Sequence, residues 1–439
     1  MNVASRVGLR LATSLVVFCV CAELVALTAY YVETGGLFYT HRKTYQELLP
    51  APENGRLIGE ALHPYFGPTH KPGTAFDIPE ALRVSSATPA RLRTNNFGFV
   101  SSYSYPFVKT RSNQFIVGMF GGSVGLWFCQ VGAHRLLEEL MRHPFFRNKE
   151  VIPLCFSHEG YKQPQQVLVL AYFLAIGQPF DMVVNIDGFN DVALANLNNE
   201  RGLDISMPSL QHLDPLINLV DQSTLTPEKL ESLATIGRNR RELTDLVDRI
   251  RANRIASVNV VLDRSYRRGL ADYVKELGRF SHLPSNPSDN SLIQATPTVR
   301  ARDAATMFSD IADQWTSSSL LMREMLTARG GAYFHFLQPN QYYTTRRFSD
   351  EEAAVALSEA SPYKKSVEQG YPVLAAAAPL RLLRANVRFF DATHVFDRES
   401  APVYMDNCCH YTLTGNQAFA EFIAASILNA PGPWRDRVD

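Results

Sequence analysis

The chain has 439 residues, 46% of them hydrophobic, which is enough to build one large domain or two ordinary ones. Its 43 Lys and Arg residues balance its 43 Asp and Glu residues, so bulk charge does not point to nucleic acid or to an anionic membrane surface as a partner. The six cysteines show none of the spacings typical of zinc sites. We therefore expect a protein without a metal or another cofactor.

A mostly apolar segment, Leu11–Val32, lies near the N-terminus and follows Arg6 and Arg10. At about 1.5 Å per helical residue, it is long enough to cross a bilayer core of about 30 Å. Ala26 and Thr28 make a poor signal-peptidase site. The segment therefore favours an uncleaved transmembrane anchor over a cleaved signal peptide.

The orientation of the anchor follows from what must cross the membrane. Arg42 and Lys43 follow the span, so the distribution of positive charge alone does not decide it. The short tail, residues 1–10, is more easily left in the cytoplasm than the long remainder of the chain. We expect a single-pass protein of the inner (cytoplasmic) membrane, with its bulk periplasmic or otherwise extracytoplasmic. Glu23, in mid-span, either pairs with another helix or is tolerated among its apolar neighbours.

Two parts of the chain lack the regular pattern of a sheet protein. Residues 33–111 are rich in Pro, Gly and aromatic residues without a sustained period, which predicts an irregular extracytoplasmic collar with short strands. Residues 194–300 carry two charged helical stretches, Pro227–Ala252 and Val258–Phe280, and a Pro/Ser/Asn loop, Leu283–Leu292. We expect a mainly helical insertion here, its charged faces solvated or, alternatively, used to bind a partner.

The remaining segments, 112–193 and 301–430, alternate strands with helices. Five apolar runs have the length of strands: Gln114–Phe120, Glu150–Phe156, Asp181–Asp187, Ala332–Leu337 and Val387–Asp391. Such alternation predicts right-handed crossovers and a parallel sheet. We therefore expect an α/β fold, a three-layer α/β/α sandwich around a parallel sheet of about five strands, with the helical insertion dividing it.

Small and polar residues follow the first three of these strands, at the end where parallel sheets place their sites. Ser123 comes after two glycines and begins a helix, so free backbone N–H groups and the helix dipole favour negative charge there. Gly160 follows the second strand and Asn190 the third. Taken singly, each has an ordinary structural interpretation, as a helix N-cap or a turn glycine.

The order of these residues carries a resemblance. Gly-Gly-Ser123, Gly160, Gly-Phe-Asn190-Asp191 and a final acid before His410 follow one another along the chain. This set is similar to the SGNH (GDSL-type) hydrolase family over roughly Gln114–Asp191 and Gly331–Leu428. The anchor and the Gly-Tyr-Lys-Gln-Pro-Gln-Gln segment resemble membrane-anchored bacterial members of that family.

The resemblance implies a flavodoxin-like topology and acyl-ester chemistry. Carried over residue by residue, it makes Ser123 the nucleophile, His410 the base and Asp406 the residue that orients the imidazole. The oxyanion hole would consist of the backbone N–H groups of Ser123 and Gly160 and the side-chain amide of Asn190. The implied activity is an esterase acting on an acylated carbohydrate or lipid, or an O-acyltransferase that modifies a polysaccharide.

Two positions depart from the family pattern. Gly122 stands where the family usually has Asp, and Asn407 stands three residues before His410, where Asp is usual. Asp406 lies four residues before His410. We favour Asp406 over Asn407 as the orienting residue, on the assumption that the extra cysteine bulges the loop.

Several further roles stay open. Asp187, Asp191 and Asn407 are candidates for contact with a substrate hydroxyl. His158 is a competing base, disfavoured because it comes from the same turn as Gly160. Cysteines 408 and 409 either pair with Cys129 or Cys155 in an oxidising compartment, or all four are small buried hydrophobic residues.

Two other classes of function also remain open. A non-catalytic polysaccharide-binding or assembly protein could retain the fold, and Ser123 and His410 would then have no need to lie within hydrogen-bond reach. A phosphoryl-transfer enzyme would need metal ligands beside Ser123, and no cluster of Asp and His residues predicts them. The sequence predicts no oligomeric state.

Overall fold

The structure is a computed structural model that describes residues 3–40, 60–83, 91–213, 226–283 and 302–435. The chain divides into two compact units, one of residues 1–58 and 217–293 and the other of residues 59–216 and 294–439. Of the described residues, 60–83 and 91–111 of the predicted collar and 194–213 of the predicted insertion fall in the unit that contains the sheet. Parts of the collar (41–59 and 84–90) and most of the predicted loop at Leu283–Leu292 lie outside the described residues.

The strands of the described residues are, in chain order, β1 (Glu60–His63), β2 (Gly67–His70), β3 (Ala75–Asp77), β4 (Arg91–Arg93), β5 (Gln114–Gly121), β6 (Glu150–Cys155), β7 (Met182–Asp187), β8 (Ala332–Leu337) and β9 (Arg388–Asp391). The α-helices are α1 (Val3–Thr34), α2 (Ser123–Trp127), α3 (Ala133–Met141), α4 (Pro144–Arg147), α5 (Gln165–Ala175), α6 (Phe189–Glu200), α7 (Pro227–Ala252), α8 (Ala256–His282), α9 (Ala304–Thr327), α10 (Asp350–Ala356), α11 (Lys364–Ala378) and α12 (Leu413–Asn429). Between α2 and α3, Phe128–Gly132 forms a π-helical turn.

The larger unit is built on a five-stranded parallel sheet in the order β6-β5-β7-β8-β9. Every residue of the central strands β5 and β7 is buried, as expected of strands covered on both faces. Helices α5, α6, α9 and α11 pack against one another, and α3 packs with α12. The fold is the predicted three-layer α/β/α sandwich, and its strand order is the flavodoxin-like one.

The collar contributes to the core of the same unit. Strands β1 and β2 pair as an antiparallel hairpin, and β3 pairs with β4. Phe66, Phe99 and Tyr105 are buried in the cluster that contains the sheet. The Tyr105 hydroxyl donates a hydrogen bond of 2.8 Å to the Cys155 carbonyl at the end of β6. These collar residues therefore pack into the core of the sheet unit, and Tyr105 contacts the carboxyl end of β6.

The smaller unit contains the apolar N-terminal helix and a pair of long helices. Helix α1 includes one stretch, Arg10–Thr34, that is long and apolar enough to cross a membrane. Glu23 accepts hydrogen bonds from the backbone N–H groups of Ala256 and Ser257, at 2.5 and 2.8 Å. A carboxylate at a helix N-terminus satisfies free N–H groups and interacts favourably with the helix dipole. Of the two alternatives for Glu23, the structure shows pairing with another helix.

The cysteine pairing differs from both expectations. Cys129, in the π-helical turn after α2, forms a disulfide with Cys155 at the end of β6, whereas Cys408 and Cys409 are free thiols. The two partners come from neighbouring segments of the sheet unit, a proximity that depends on the packing of the helix over the sheet.

Candidate active site

Ser123 lies where a buried strand meets a helix. Strand β5 ends at Gly121, and Ser123 is the first residue of α2, whose first N–H groups have no acceptor within the helix. A Cβ atom on Gly122 would lie 2.1 Å from Nδ2 of Asn190. A side chain at position 122 would therefore displace the Asn190 amide from this arrangement.

His410 and Asp406 are held in a tight turn before α12. Tyr404 and Tyr411 form an isolated antiparallel bridge, and the N–H of Met405 donates to the carbonyl of His410 at 3.0 Å. Inside this turn, Oδ1 of Asp406 accepts three backbone N–H groups, from residues 408, 409 and 410, at 2.9, 3.0 and 3.2 Å. The carboxylate is thus fixed by the loop that also carries the histidine.

The three side chains form a continuous hydrogen-bonded chain. Oγ of Ser123 lies 2.8 Å from Nε2 of His410, and Nδ1 of His410 lies 2.5 Å from Oδ2 of Asp406. Burial alone would raise the pKa of Asp406, but hydrogen bonds from His410 and the loop N–H groups outweigh it and lower that pKa. An ionised Asp406 fixes the proton on Nδ1, which leaves the lone pair of Nε2 directed at the serine hydroxyl.

The expected oxyanion donors come from the next two strand ends. Gly160 has φ +73°, and a Cβ there would lie 2.2 Å from the ring of His212, so glycine is required on both counts. The Asn190 amide donates a hydrogen bond of 2.8 Å to the carbonyl of Tyr161. This bond holds the amide beside Gly122. The structure therefore brings the proposed donors to the same edge of the sheet as Ser123.

Asp187 does not face a substrate. It is 2% exposed. Its two carboxylate oxygens accept hydrogen bonds from four buried side chains, those of Asn185, Gln163, Trp315 and His335. Burial would raise the pKa of Asp187, but the His335 ring and the other donors outweigh it and lower that pKa. The interpretation of Asp187 as a contact for a substrate hydroxyl is therefore wrong.

Asp191 is also internal, at 3% exposure. Its Oδ1 accepts the N–H of Gln163 at 2.8 Å, and its Oδ2 accepts the N–H of Gly188 at 3.0 Å. Burial and the neighbouring charge of Asp187 raise the pKa of Asp191 to about 7. Instead of contacting substrate, Asp191 ties the segment after Gly160 to the turn that carries Asn190.

Neither Asn407 nor His158 takes the role of a triad member. Asn407 is exposed, and its carbonyl accepts hydrogen bonds from the hydroxyls of Tyr342 and Ser361. His158 is buried, and its Nδ1 lies 2.9 Å from the carbonyl of Glu159. The group that reaches Ser123 is His410. For Asn407, contact with a substrate stays a prediction.

The Gly160–Gln166 segment forms a buried polar connection that sequence reasoning did not identify. Tyr161 donates its hydroxyl to the carbonyl of Pro68 in β2 at 2.8 Å, and Gln165 donates to the carbonyl of Phe66 at 3.1 Å. The ammonium group of Lys162 donates to the carbonyl of Ile205, and burial lowers the pKa of Lys162 to about 8. The sequence did contain a signal for this network, because several polar residues in a row after a strand are typical of a functional or structural polar network.

Among the residues that the structure describes, two groups of side chains place atoms that could ligate a metal within 4.8 Å of one another: Cys408, Cys409 and His410, and His70, His158 and Glu159. The second group joins residues far apart in the chain, so its spacing could not be recognised from sequence. The first group shares His410 with the Ser123 site, where its Nε2 already lies against the serine hydroxyl.

Comparisons with protein-family models and with curated protein sequences found no match for this chain.

Proposed function

We propose that this chain is a membrane-anchored serine acyl-ester hydrolase or O-acyltransferase with SGNH-type chemistry. The observation that carries the proposal is the hydrogen-bonded chain from Ser123 through His410 to Asp406. A nucleophile, a base within reach and an oriented carboxylate are the three parts that acyl transfer through serine requires. The side chains of His410 and Asp406 are 21% and 36% exposed, so the site is open to solvent and to a substrate.

The reaction would run in two acyl-transfer steps. Ser123 Oγ attacks the ester carbonyl while Nε2 of His410 takes the serine proton, and a tetrahedral oxyanion forms. The N–H groups of Ser123 and Gly160 and the amide of Asn190 stabilise that oxyanion. His410 then donates the proton to the leaving alkoxide, which leaves an acyl group on Ser123. Water or a sugar hydroxyl, deprotonated by the same Nε2, releases the acyl group and restores the serine.

An acylated carbohydrate or lipid is the substrate class we propose. The apolar helix Arg10–Thr34 supports work at a membrane, and the Cys129–Cys155 disulfide supports an oxidising, extracytoplasmic compartment. The same site serves a hydrolase or a transferase, because the difference depends on whether water or a sugar hydroxyl attacks the acyl-enzyme.

The proposal is tested by hydrolysis of p-nitrophenyl acetate by the full chain in detergent. We expect turnover by the native protein and a loss on the order of 10⁴–10⁶ in Ser123→Ala, because triad members act as a unit. Adding a sugar oligomer then distinguishes a hydrolase from a transferase, since a transferase yields acylated sugar at the expense of free acetate. Turnover that persists unchanged in folded Ser123→Ala would contradict the proposal, and no turnover in either protein would favour the polysaccharide-binding class.

A further inference from the structure

Two free thiols stand side by side next to the proposed base. The Sγ atoms of Cys408 and Cys409 are 3.1 Å apart. A disulfide joins its sulfur atoms at about 2.05 Å. A shift of about 1 Å would therefore bring these two atoms to bonding distance, and because neighbouring Cα atoms lie only about 3.8 Å apart, part of that shift falls on the backbone between the two residues.

The backbone of the turn already arranges the two cysteines for such a bond. Both of their N–H groups point to one acceptor, Oδ1 of Asp406, at 2.9 and 3.0 Å. Consecutive residues whose amides converge on one atom cannot extend as a strand does, where neighbouring side chains point to opposite faces. The thiols consequently lie on the same side of the turn.

The larger unit also shows that its compartment supports disulfides. Cys129 and Cys155 are bonded to each other in the same unit. Disulfides persist in oxidising compartments and are rare in the cytosol. The half-buried Cys408 is open to the oxidants that such a compartment supplies, whereas Cys409 is fully buried behind it.

We propose that Cys408 and Cys409 form a vicinal disulfide in the mature protein and that this bond positions Asp406 and His410. The oxidant is a disulfide, either of a small molecule or of another protein. The Cys408 thiolate attacks it and releases one thiol, and the Cys409 sulfur then attacks the mixed disulfide and releases the second. Two thiols of this chain lose two protons and two electrons, and the oxidant's disulfide becomes two thiols.

The order of attack follows from the surroundings of the two sulfur atoms. Burial raises the pKa of Cys409 well above its usual range, and its thiol also interacts with Ser123. The accessible Cys408 is therefore the first to react. Once the Cys408–Cys409 disulfide has formed, it restrains the backbone of both residues. Their N–H groups are two of the three that donate to Oδ1 of Asp406, so the bond restrains Asp406 as well.

The bond itself is tested by mass spectrometry on the full chain, equilibrated with oxidised glutathione, denatured and treated with N-ethylmaleimide. The chain supplies its own controls, since Cys19 and Cys21 are free thiols and Cys129 and Cys155 are bonded. We expect the Cys408–Cys409 peptide to take up no maleimide and to be lighter than the dithiol by two hydrogens. Two maleimides on that peptide, with Cys129 and Cys155 protected, would overturn the proposal.

The positioning role is tested separately and rests on the proposed function. Selective reduction of Cys408–Cys409 should slow reaction of Ser123 with an organophosphonate by about threefold to tenfold, the effect of weakening one hydrogen bond to a catalytic group. The matched control is Cys408→Ser, which retains a single thiol there and should react at the reduced rate regardless of redox state. An unchanged rate on reduction would remove the positioning role, and a protected peptide in a protein that never reacts would contradict the proposed function alone.

Discussion

The side-chain amide of Asn190 occupies the space beside Gly122 that a larger residue would need, with 2.1 Å between Nδ2 and the position of a Cβ. The two residues come from different strand ends, so the absence of a side chain at one is what allows the amide of the other to approach Ser123. This contact makes Gly122 part of the proposed oxyanion arrangement.

We therefore predict that Gly122→Asp, although it recreates the usual family motif, lowers ester turnover. The displaced amide should cost about 10²–10³ in turnover, the effect of removing one oxyanion donor. Steady-state hydrolysis of p-nitrophenyl acetate measures it. The control is a double-mutant cycle, in which Gly122→Ala costs less in Asn190→Ala than in the native protein, because only the 3.0 Å approach of its Cβ to the Tyr161 carbonyl then remains. Full activity of Gly122→Asp would contradict the arrangement.

The choice between Asp406 and Asn407 leads to a second prediction. Asp406 bonds His410, whereas the side chain of Asn407 is exposed. Asp406→Asn should lower turnover by about 10³–10⁴, because an amide does not stabilise the imidazolium or fix its tautomer. Asn407→Ala should cost at most about tenfold, the effect of losing one hydrogen bond to a substrate, because the exposed Asn407 side chain does not orient His410. A larger loss in Asn407→Ala than in Asp406→Asn would reverse the assignment.

The raised pKa of Asp191, about 7, predicts a pH-dependent cost of Asp191→Asn. In the unfolded chain this carboxyl loses its proton near pH 4, whereas in the folded protein it keeps the proton to about pH 7. Stability from native Asp191 is therefore greatest below pH 4 and falls as pH rises to 7, because the folded state binds more protons there. Neutral Asn lacks this dependence, so the substitution should lower the thermal midpoint more at pH 5 than at pH 8.

Tryptophan fluorescence measures this midpoint for the sheet unit, since the chain's three Trp residues, at 127, 315 and 434, all lie in it. The matched control is Asp313→Asn, a half-exposed carboxylate on α9 whose substitution should show no such trend. An Asp191→Asn deficit that is the same at pH 5 and at pH 8 would show that the carboxylate is ionised throughout this range and would contradict the raised pKa.

The Cys129–Cys155 disulfide gives a prediction about stability. It closes a segment of sequence separation 26, for which the chain-entropy estimate is about 3–4 kcal/mol. Replacing both cysteines with Ala should lower the thermal midpoint of the sheet unit by several degrees. Cys19→Ser with Cys21→Ser, in the apolar helix, should leave this midpoint unchanged. Equal midpoints for the native protein and the Cys129/Cys155 variant would show that the bond does not stabilise the fold.

The parallel sheet was predictable because its strands are uninterrupted apolar runs, and Ser123, Gly160 and Asn190 could be placed because they follow those runs directly. The roles of Asp187 and Asp191 could not be predicted, since a carboxylate after a strand can face either solvent or the interior. The partners of Asp187, such as Trp315 and His335, come from distant segments. The pairing of Cys129 with Cys155 likewise depends on how a helix packs over the sheet.

The most direct test of the account is reaction of the full chain in detergent with a fluorophosphonate probe, followed by mapping of the labelled residue. We expect labelling of the native protein at Ser123 and none in Ser123→Ala or His410→Ala, because the probe reacts only with a serine whose proton a base removes. Labelling of folded His410→Ala at the native rate, or a native protein that stays unlabelled while folded, would contradict an activated serine at this site.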